Sequence, residues 1–225
     1  MRVVAIIPAY NESSRIAQAI ADAKPHVAHV VVIDDCSSDA TGEVARAAGA
    51  IVLRHAINRG QGAALQTGTQ FALEVLQAEA IVHFDADGQM AGAEIGLLLE
   101  PLMRYEAEVV LGSRFLGKEA LNMPRFRRLM LRLATFFTIL FSGIRVTDTH
   151  NGFRALTRHA AQELEITLDR MAHASEILDL IVAKRLRYVE RPVTIRYSTA
   201  SLAKGQSTLR AMGSVKDMLR KRMVG

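Results

Sequence analysis

The chain has 225 residues, of which 50% are apolar and 23% charged, and its formal net charge is +5. This apolar content excludes a disordered chain, and the length fits a single globular domain. One cysteine excludes a disulfide framework and a cysteine-based zinc site, and the absence of tryptophan argues against an aromatic platform for single-stranded nucleic acid. The N-terminus lacks the apolar stretch of a signal peptide, and the most apolar run, residues 133–144, is too short to span a bilayer, so we expect a cytoplasmic protein.

The charge is divided unevenly along the chain. Residues 1–112 carry a net charge of −7, whereas residues 113–225 carry +12. An acidic half is suited to a divalent cation, and a basic half is suited to phosphates or to an anionic membrane. Solvated charge on helix faces is the alternative interpretation.

Predicted strands and helices alternate over the first 111 residues. The strands are predicted at 2–7, 29–33, 50–54, 80–84 and 108–111. The first helix is predicted at 14–24, the second begins after residue 39 and ends at about 48, the third begins within 58–62 and ends at about 78, and the fourth is predicted at 94–105. This alternation predicts right-handed crossovers and a mostly parallel sheet. After residue 112 we expect a basic and apolar helix within 122–143, helices at 157–164 and 175–185, a strand at 188–197 and a basic helix at 208–223. No repeat or linker interrupts the chain.

Polar residues follow three of the predicted strands, at 8–12, at 34–35 and at 85–89. In an open α/β sheet, ligands bind beyond the carboxyl ends of the strands. Asp85 and Asp87 lie two residues apart, so in extended geometry both carboxylates point to the same side. Such a pair suits Mg²⁺ or Mn²⁺, which commonly binds one or two carboxylates together with the oxygens of a substrate phosphate. The pair therefore predicts a bound diphosphate.

Two neighbouring segments leave alternatives open. Asp34 and Asp35 are candidate metal ligands, but they could instead accept backbone N–H bonds, or one could accept a hydrogen bond from a nucleobase; Asp39 is expected to be structural. Residues 58–62 resemble a phosphate loop, yet Leu65 stands where the third glycine of a dinucleotide fingerprint would be. Phosphate binding at a helix start and simple helix packing both explain this segment.

Six segments together carry a resemblance to a known family. They are Val-Val-Ala-Ile-Ile-Pro-Ala-Tyr-Asn-Glu at 3–12, Val-Ile-Asp-Asp-Cys-Ser-Ser-Asp-Ala-Thr at 32–41, Asn-Arg-Gly-Gln-Gly at 58–62, Phe-Asp-Ala-Asp-Gly-Gln at 84–89, Gly-Ser-Arg-Phe at 112–115 and Asp-Thr-His-Asn-Gly-Phe-Arg-Ala at 148–155. In this order they resemble the family 2 glycosyltransferases of the GT-A fold, in particular the dolichyl- or polyprenyl-phosphate mannose synthase-like branch. The resemblance covers about residues 2–200.

The resemblance implies a Rossmann-like, mostly parallel sheet with flanking helices, to which this chain would add C-terminal amphipathic helices. It implies one domain, with a nucleotide-sugar-binding half at 1–112, an acceptor half at 113–207 and a basic helix at 208–225. The implied catalytic residues are Asp87, Arg114 and Asp148, and the implied metal ligands are Asp85, Asp87 and Gln89. The implied substrate-binding residues are Pro8, Ala9, Tyr10, Glu12, Asp34, Asp35, Asp85, Ala86, Gln89, Arg154, Glu176, Arg196 and Lys204, with Gly152 and Phe153 in the acceptor-side motif.

The resemblance further implies an inverting, metal-dependent transfer of a sugar from a GDP- or UDP-sugar to a polyprenyl phosphate or another membrane-proximal acceptor. A cation at Asp87, helped by Arg114, would stabilise the leaving diphosphate. A hydroxyl acceptor needs a general base, for which Asp148 is the candidate, whereas a lipid phosphate is already anionic. The chain departs from the branch at 171–174 and 205–208, which leaves the sugar and the acceptor open.

Three other functions remain as alternatives at this point. One is a glycosyltransferase that acts on a glycan or lipid hydroxyl in cell-envelope polysaccharide synthesis. A nucleotidyltransferase also uses acidic strand ends and a metal, but it normally has a glycine-rich basic loop after its first strand. The last is a basic protein that binds nucleic acid or membrane without catalysis, although no nucleic-acid motif is present.

Two basic amphipathic segments, 122–143 and 208–223, predict contact with a membrane surface. Arg125, Arg128 and Arg132 fall near one stripe of a helix, opposite leucine, methionine and phenylalanine. We expect a peripheral protein on the cytoplasmic membrane face. The alternatives that explain the same pattern are a core helix, the binding of a small membrane-protein partner, and a homodimer. Among the histidines, His83 is expected to be a satisfied core residue, and His55 shows no ligand spacing.

Overall fold

The computed structural model describes residues 1–116, 144–149, 151–168 and 173–195. The strands in these residues are Val3–Ala9 (β1), His29–Asp34 (β2), Ile51–Arg54 (β3), Ala80–His83 (β4), Val109–Ser113 (β5), Arg154–Thr157 (β6) and Tyr188–Pro192 (β7). The α-helices are Ile16–Ala23 (α1), Thr41–Ala47 (α2), Gln61–Glu74 (α3), Ile95–Met103 (α4), Arg158–Glu163 (α5) and His173–Ala183 (α6). Short 3₁₀ turns at Lys24–His26 and Gly92–Glu94 precede β2 and α4.

The strands form one mixed sheet in the order β3-β2-β1-β4-β6-β5-β7. The pairs β1–β2, β1–β4, β2–β3 and β5–β7 are parallel, whereas β6 pairs antiparallel with both β4 and β5. The carboxyl ends of the parallel strands and the amino end of β6 therefore lie at the same edge of the sheet. The predicted GT-A arrangement, a mostly parallel sheet with flanking helices, is confirmed.

Helices cover both faces of the sheet, which explains why the central strands are continuous apolar runs. In β1, Val3, Ala5 and Ile7 pack on the side of α1, α2 and α4, whereas Val4 and Ile6 pack on the side of α3, α5 and α6. All five of these side chains are buried. This period of two buries the first five residues of the strand from both faces, and polar residues follow at its end.

The sequence does not predict the strand β6: the predicted elements leave residues 154–156 unassigned and begin a helix at 157. The segment is only four residues long, begins with Arg154 and shows no apolar alternation. Its extended conformation depends on partners that are distant in sequence: Leu156 pairs with Ile81 on one side and with Val109 on the other. The predicted strand 188–197 is also shorter than expected and ends at Pro192, since proline donates no ladder hydrogen bond.

Several predictions fall on residues outside the described ranges. They concern the basic segments 122–143 and 208–223 and the predicted substrate ligands Arg196 and Lys204. Within the described ranges, every helix is too short or too polar to cross a bilayer.

Candidate active site

The predicted carboxylate pair lies directly beyond β4, at the edge described above. Asp85 and Asp87 are both partly buried, and Gly88 between Asp87 and Gln89 has a positive φ of 73°. Asp87 Oδ1 accepts the backbone N–H of Gln89 at 3.0 Å. Glycine adopts a positive φ without steric penalty, and the turn at Gly88 places the backbone N–H of Gln89 against the Asp87 carboxylate.

Asp85 is enclosed by two residues from other parts of the chain. Its Oδ1 accepts a hydrogen bond from Gln61 Nε2 at 3.1 Å. On another side, a Cβ at Gly152 would lie 2.9 Å from Asp85 Oδ2, so only glycine allows this close approach. The acceptor-side motif is therefore packed directly against the carboxylate pair.

The surrounding protein stabilises the ionised form of both carboxylates poorly. Burial, together with repulsion from Asp87, raises the pKa of Asp85 to about 7. Burial also raises the pKa of Asp87, and the nearby Glu12 acts in the same direction. A positive ion between two such groups would relieve this repulsion, since it favours the ionised form of each.

The donor set fits a hard divalent cation. No group of three or more aspartate, glutamate, histidine or cysteine side chains suited to a metal occurs among the described residues. Mg²⁺ and Mn²⁺ do not require such a group, because they keep waters and substrate phosphate oxygens as further ligands. Asp85 and Asp87 supply carboxylate oxygens; metal binding by Gln89, whose backbone N–H bonds to Asp87, stays a prediction.

Asp35 organises the loop that leads into α3. Its Oδ1 accepts the backbone N–H of Arg59 at 2.9 Å, and its Oδ2 accepts that of Gly60 at 2.7 Å. His55 Nδ1 lies 2.7 Å from Asp35 Oδ1, and His55 Nε2 lies 3.0 Å from Thr67 Oγ1. Of the alternatives open for this aspartate, backbone acceptance is therefore observed, and contact with a nucleobase stays a prediction.

Asp34 lies deeper than Asp35 and has no solvent exposure. Its Oδ1 accepts the backbone N–H of Ser37 at 2.8 Å, and Arg54 Nη1 lies 3.4 Å from its Oδ2. Oδ2 also lies 2.8 Å from where a Cβ on Gly42 would be, at the start of α2. These contacts give Asp34 a structural role in the loop, and its predicted substrate contact remains a prediction.

The segment after β1 is joined to the segment after β2 by hydrogen bonds. Asn11 accepts the backbone N–H of Ser38 at 2.9 Å, and the backbone N–H of Glu12 donates to Thr41 Oγ1 at 2.8 Å. Asp39 accepts the backbone N–H of Thr41 at 3.0 Å, and bonds to Thr41 and to Ser13 lower the pKa of Asp39 to about 2. The predicted structural role of Asp39 agrees with these contacts.

Side-chain exposure differs among the predicted nucleoside ligands. Tyr10 is 49% exposed, Ala9 is buried, and Pro8 and Glu12 are partly buried. Ala86, beside the carboxylate pair, is buried in the core on the α1 and α4 side. Their contacts with substrate stay predictions.

Arg114 and Asp148 form a buried, bidentate ion pair. Arg114 Nε lies 2.6 Å from Asp148 Oδ2, Nη2 lies 2.6 Å from Oδ1, and the backbone N–H of Arg114 also donates to Oδ2 at 3.1 Å. Glu190 on β7 holds the backbone at Asp148 in place, because its carboxylate accepts the backbone N–H groups of Thr147 and Asp148. The carboxylate of Asp148 is therefore matched by a guanidinium and by a backbone donor.

A second group of basic side chains lies behind Asp85. Arg154 is 2% exposed; burial lowers its pKa to about 10, and attraction to Asp85 and Asp148 acts in the opposite direction. His83, paired with Arg154 in the sheet, is equally buried, and burial lowers the pKa of its imidazole to about 3, with Arg154 and His173 acting in the same direction. The structure thus gives Arg154 a buried position beside both carboxylates, and its contact with substrate stays a prediction.

The expectation that His83 is a satisfied core residue is half right. The side chain is buried, but within the described part of the chain neither ring nitrogen has a hydrogen-bond partner. The sequence pattern indicates burial of the strand, but it gives no information about partners on neighbouring elements.

Glu176, a predicted substrate ligand on α6, bonds to the segment before that helix. Its carboxylate accepts the backbone N–H groups of Thr167, at 3.1 Å, and Leu168, at 2.8 Å. The carbonyl oxygen of Leu168 lies 2.1 Å from where a Cβ on Gly62 would be, so this segment packs against the start of α3. Glu176 therefore holds the segment at Thr167 and Leu168 beside the start of α3, and its contact with substrate stays a prediction.

Two residues of the site were missed by sequence reasoning. Gln61 was treated only as part of a loop, and His55 was set aside. A signal for His55 was present, because it directly follows β3 just as Asp35 directly follows β2, and the ends of paired parallel strands are adjacent. For Gln61 the sequence carries no comparable signal, since its contact with Asp85 depends on the orientation of α3.

This arrangement defines a class of protein: an α/β enzyme of the GT-A type, with a carboxylate pair suited to a divalent cation and a buried arginine–aspartate pair. The family profile described as glycosyl transferase family 2 matches residues 4–165. The chain belongs to glycosyl transferase family 2, and it is a glycosyltransferase. The family resemblance drawn from the motifs is thereby confirmed.

Individual relatives agree with the predicted branch. The chain is 31% identical to the UDP-N-acetylglucosamine–dolichyl-phosphate N-acetylglucosaminyltransferase of Methanococcus voltae, covering 91% of this chain and 89% of the relative. It is 30% identical to the undecaprenyl-phosphate mannosyltransferase of Micrococcus luteus, covering 86% and 83%. Among solved structures, glucosyl-3-phosphoglycerate synthase from Mycobacterium tuberculosis, in complex with Mn²⁺, UDP-glucose and phosphoglyceric acid, has a TM-score of 0.69 at 20% identity, covering 95% and 78%. This last similarity supports the fold.

Proposed function

We propose that this protein transfers a sugar from a nucleoside diphosphate sugar to a polyprenyl phosphate, with inversion and with Mg²⁺ or Mn²⁺ as cofactor. The observation that carries the proposal is the position of Asp85 and Asp87 directly beyond β4, where each has a raised pKa. The similarity to transferases that are named for undecaprenyl phosphate and dolichyl phosphate supports the class of acceptor.

The donor half of the reaction involves the carboxylate side of the site. Asp85 and Asp87 would hold the cation, with Gln89 as a further predicted ligand. When bound, the cation supplies positive charge for the diphosphate that leaves. Asn11 joins the segments after β1 and β2, and Asp35 joins the segment after β2 to the loop before α3. These segments would form the predicted nucleoside site, with the exposed Tyr10 beside it.

The acceptor half of the reaction involves the pair of Arg114 and Asp148. A carboxylate that bonds a guanidinium at two points is stabilised in its ionised form and is a weak base. An acceptor that already carries negative charge needs no base, so this geometry favours a phosphate over a hydroxyl group. Asp148 would then act by holding Arg114, whose positive charge attracts the Asp85 carboxylate.

The proposal is tested with a panel of UDP- and GDP-sugars, with Mn²⁺ or Mg²⁺, in the presence and absence of polyprenyl phosphate. We expect release of a nucleoside diphosphate that depends on both the metal and the lipid phosphate, together with a glycolipid product. Release of pyrophosphate would instead indicate a nucleotidyltransferase. Transfer to hydroxyl acceptors but not to the lipid phosphate would indicate the polysaccharide alternative.

The carboxylate pair is tested directly by Asp87→Asn, which retains size and removes charge. We expect a loss of activity of about 10²-fold or more, since oriented electrostatic groups contribute on that scale. Asp22→Asn is the matched control, because Asp22 lies on α1 and bonds to Gln18 of the same helix. Activity of Asp87→Asn at the wild-type level in the presence of a chelator would contradict the metal role.

The basic segments 122–143 and 208–223, on which the predicted membrane contact depends, lie outside the described ranges. The predicted peripheral association with the cytoplasmic membrane face, and the predicted homodimer or small membrane-protein partner, remain proposals. Sedimentation of the full chain with vesicles that contain anionic lipids, at low and high salt, tests the first of these.

A further inference from the structure

Gln61 is the first residue of α3, and its amide reaches the carboxylate pair. Its Nε2 donates to Asp85 Oδ1 at 3.1 Å. The residue before it, Gly60, has a φ of 90°, and its backbone N–H is held by Asp35 Oδ2 at 2.7 Å. The backbone from which the Gln61 side chain projects is therefore fixed by Asp35.

The backbone at Gly152 also packs against the Asp85 carboxylate. A Cβ at that position would lie 2.9 Å from Asp85 Oδ2 and 3.1 Å from Oδ1. The terminal torsion of an aspartate is intrinsically broad, so a carboxylate without specific contacts rotates easily. Here the glycine backbone limits the position of the carboxyl group, and the amide of Gln61 selects its orientation.

The chemistry of the amide suits a residue that supports a cation site. A neutral donor orients a carboxylate oxygen without bringing a positive charge that would compete with the cation. A lysine at the same place would pair with Asp85 and repel the cation. Groups that hydrogen-bond metal ligands from behind are commonly needed for tight binding, because they fix the ligand in its binding geometry.

We propose that Gln61 is a positioning residue for divalent cation binding, which acts by holding the Asp85 carboxylate in the orientation that the cation requires. This inference rests on the proposed function, in which Asp85 and Asp87 hold the cation. It also connects two parts of the site, because Asp35 holds Gly60 and Gln61 holds Asp85. The predicted nucleoside side and the metal side are thus joined through two consecutive residues.

The test measures Mn²⁺ binding to the full chain by electron paramagnetic resonance of the free ion, with and without UDP or GDP. The main variant is Gln61→Met, which retains an unbranched side chain of similar length and removes the donor. We expect Mn²⁺ affinity to fall by about 10- to 100-fold, the usual range for the loss of such a supporting group. Gln70→Met is the matched control, since Gln70 lies on the same helix and is exposed, and its affinity should equal that of wild type.

A kinetic readout separates positioning from a general loss of structure. For Gln61→Met, the Mn²⁺ concentration that gives half-maximal activity should rise, whereas kcat at saturating Mn²⁺ should approach the wild-type value. If Gln61→Met does not fold, Gln61→Asn replaces it, because its amide is one methylene group shorter and cannot reach Asp85 in the same way. A folded variant that binds Mn²⁺ as tightly as wild type would overturn the inference.

The outcome also distinguishes this inference from the proposed function. Wild-type protein that binds no Mn²⁺ in the presence of UDP or GDP would refute the metal site itself and the role of Gln61 with it. Wild-type protein that binds Mn²⁺, together with unchanged binding by Gln61→Met, would refute only the role of Gln61.

Discussion

Gly152 is the position at which one added methyl group should have the most direct effect on the active site. The glycine lies against the Asp85 carboxylate, and its φ is not in the left-handed region, so alanine would introduce no backbone strain. A Cβ there would lie 2.9 Å from Oδ2, 3.1 Å from Oδ1 and 3.3 Å from the carboxyl carbon. The effect of Gly152→Ala is therefore a steric effect on one functional group.

The size of the effect follows from these distances. To restore ordinary contact of about 3.4 Å or more, the carboxyl group or the backbone must move by roughly half an ångström. Asp85 cannot move far without losing its bond to Gln61 at 3.1 Å. Because a misplacement of about 1 Å can reduce activity by about 10²-fold, we expect kcat/KM of Gly152→Ala to fall by roughly 10- to 100-fold. Overpacking at this site should also lower the free energy of unfolding by about 1–3 kcal/mol.

The assay compares kcat/KM and urea unfolding of Gly152→Ala with those of Gly96→Ala. Gly96 lies on α4, and a Cβ there would meet no atom within 4 Å. Alanine at this helical position should raise stability by about 0.5–1 kcal/mol and leave activity unchanged. If Gly152→Ala were as active as wild type, the packing of Gly152 against Asp85 could not be a functional constraint, and the reasoning would be refuted.

Two further predictions concern buried charge. Asp148→Asn leaves the buried Arg114 without its carboxylate, so the free energy of unfolding should fall by about 3 kcal/mol. In urea unfolding, the double variant Arg114→Met with Asp148→Leu should lose less stability than the sum of the losses of Arg114→Met and of Asp148→Leu. Burial lowers the pKa of His83 from 6.5 to about 3, so the stability it contributes is complete above pH 6.5 and is lost as the pH falls towards 3. In metal-free buffer, the stability of wild type relative to His83→Leu should therefore fall by up to about 1.4 kcal/mol for each pH unit below 6.5, and an unchanged difference between about pH 7.5 and about pH 5 would contradict this.

Much of the fold could be predicted because its signals are local. The strands β1, β2 and β4 are largely apolar runs with a proline or an aspartate at or near their carboxyl ends, and the helices between them begin and end near polar residues, glycine or proline. The carboxylate pair was also predictable, since Asp85 and Asp87 directly follow a buried strand. The alternation of strands and helices then predicts parallel pairing in the acidic half.

The parts that could not be predicted depend on contacts between distant segments. β6 is a strand because two partners pair with it, and Gln61 and Gly152 meet Asp85 from residues that are 24 and 67 positions away along the chain. His55 and Asp35 meet because β2 and β3 are paired. The position of His55 directly after β3 was a usable signal, but the contacts of β6, Gln61 and Gly152 leave no periodic pattern in the sequence, so only the three-dimensional arrangement reveals them.

The reversed direction of β6 has a consequence for how the enzyme can diversify. The chain leaves the sheet after β5 and re-enters it at the same edge, with the stretch between them closed at its base by Arg114 and Asp148, which are 34 residues apart. The strand order does not limit the length or composition of the stretch between β5 and β6, and the entropic penalty of a longer loop grows only slowly with its length. Residues can therefore be added to or removed from this stretch without a change in the order of the strands, while the Arg114–Asp148 pair keeps its two ends together.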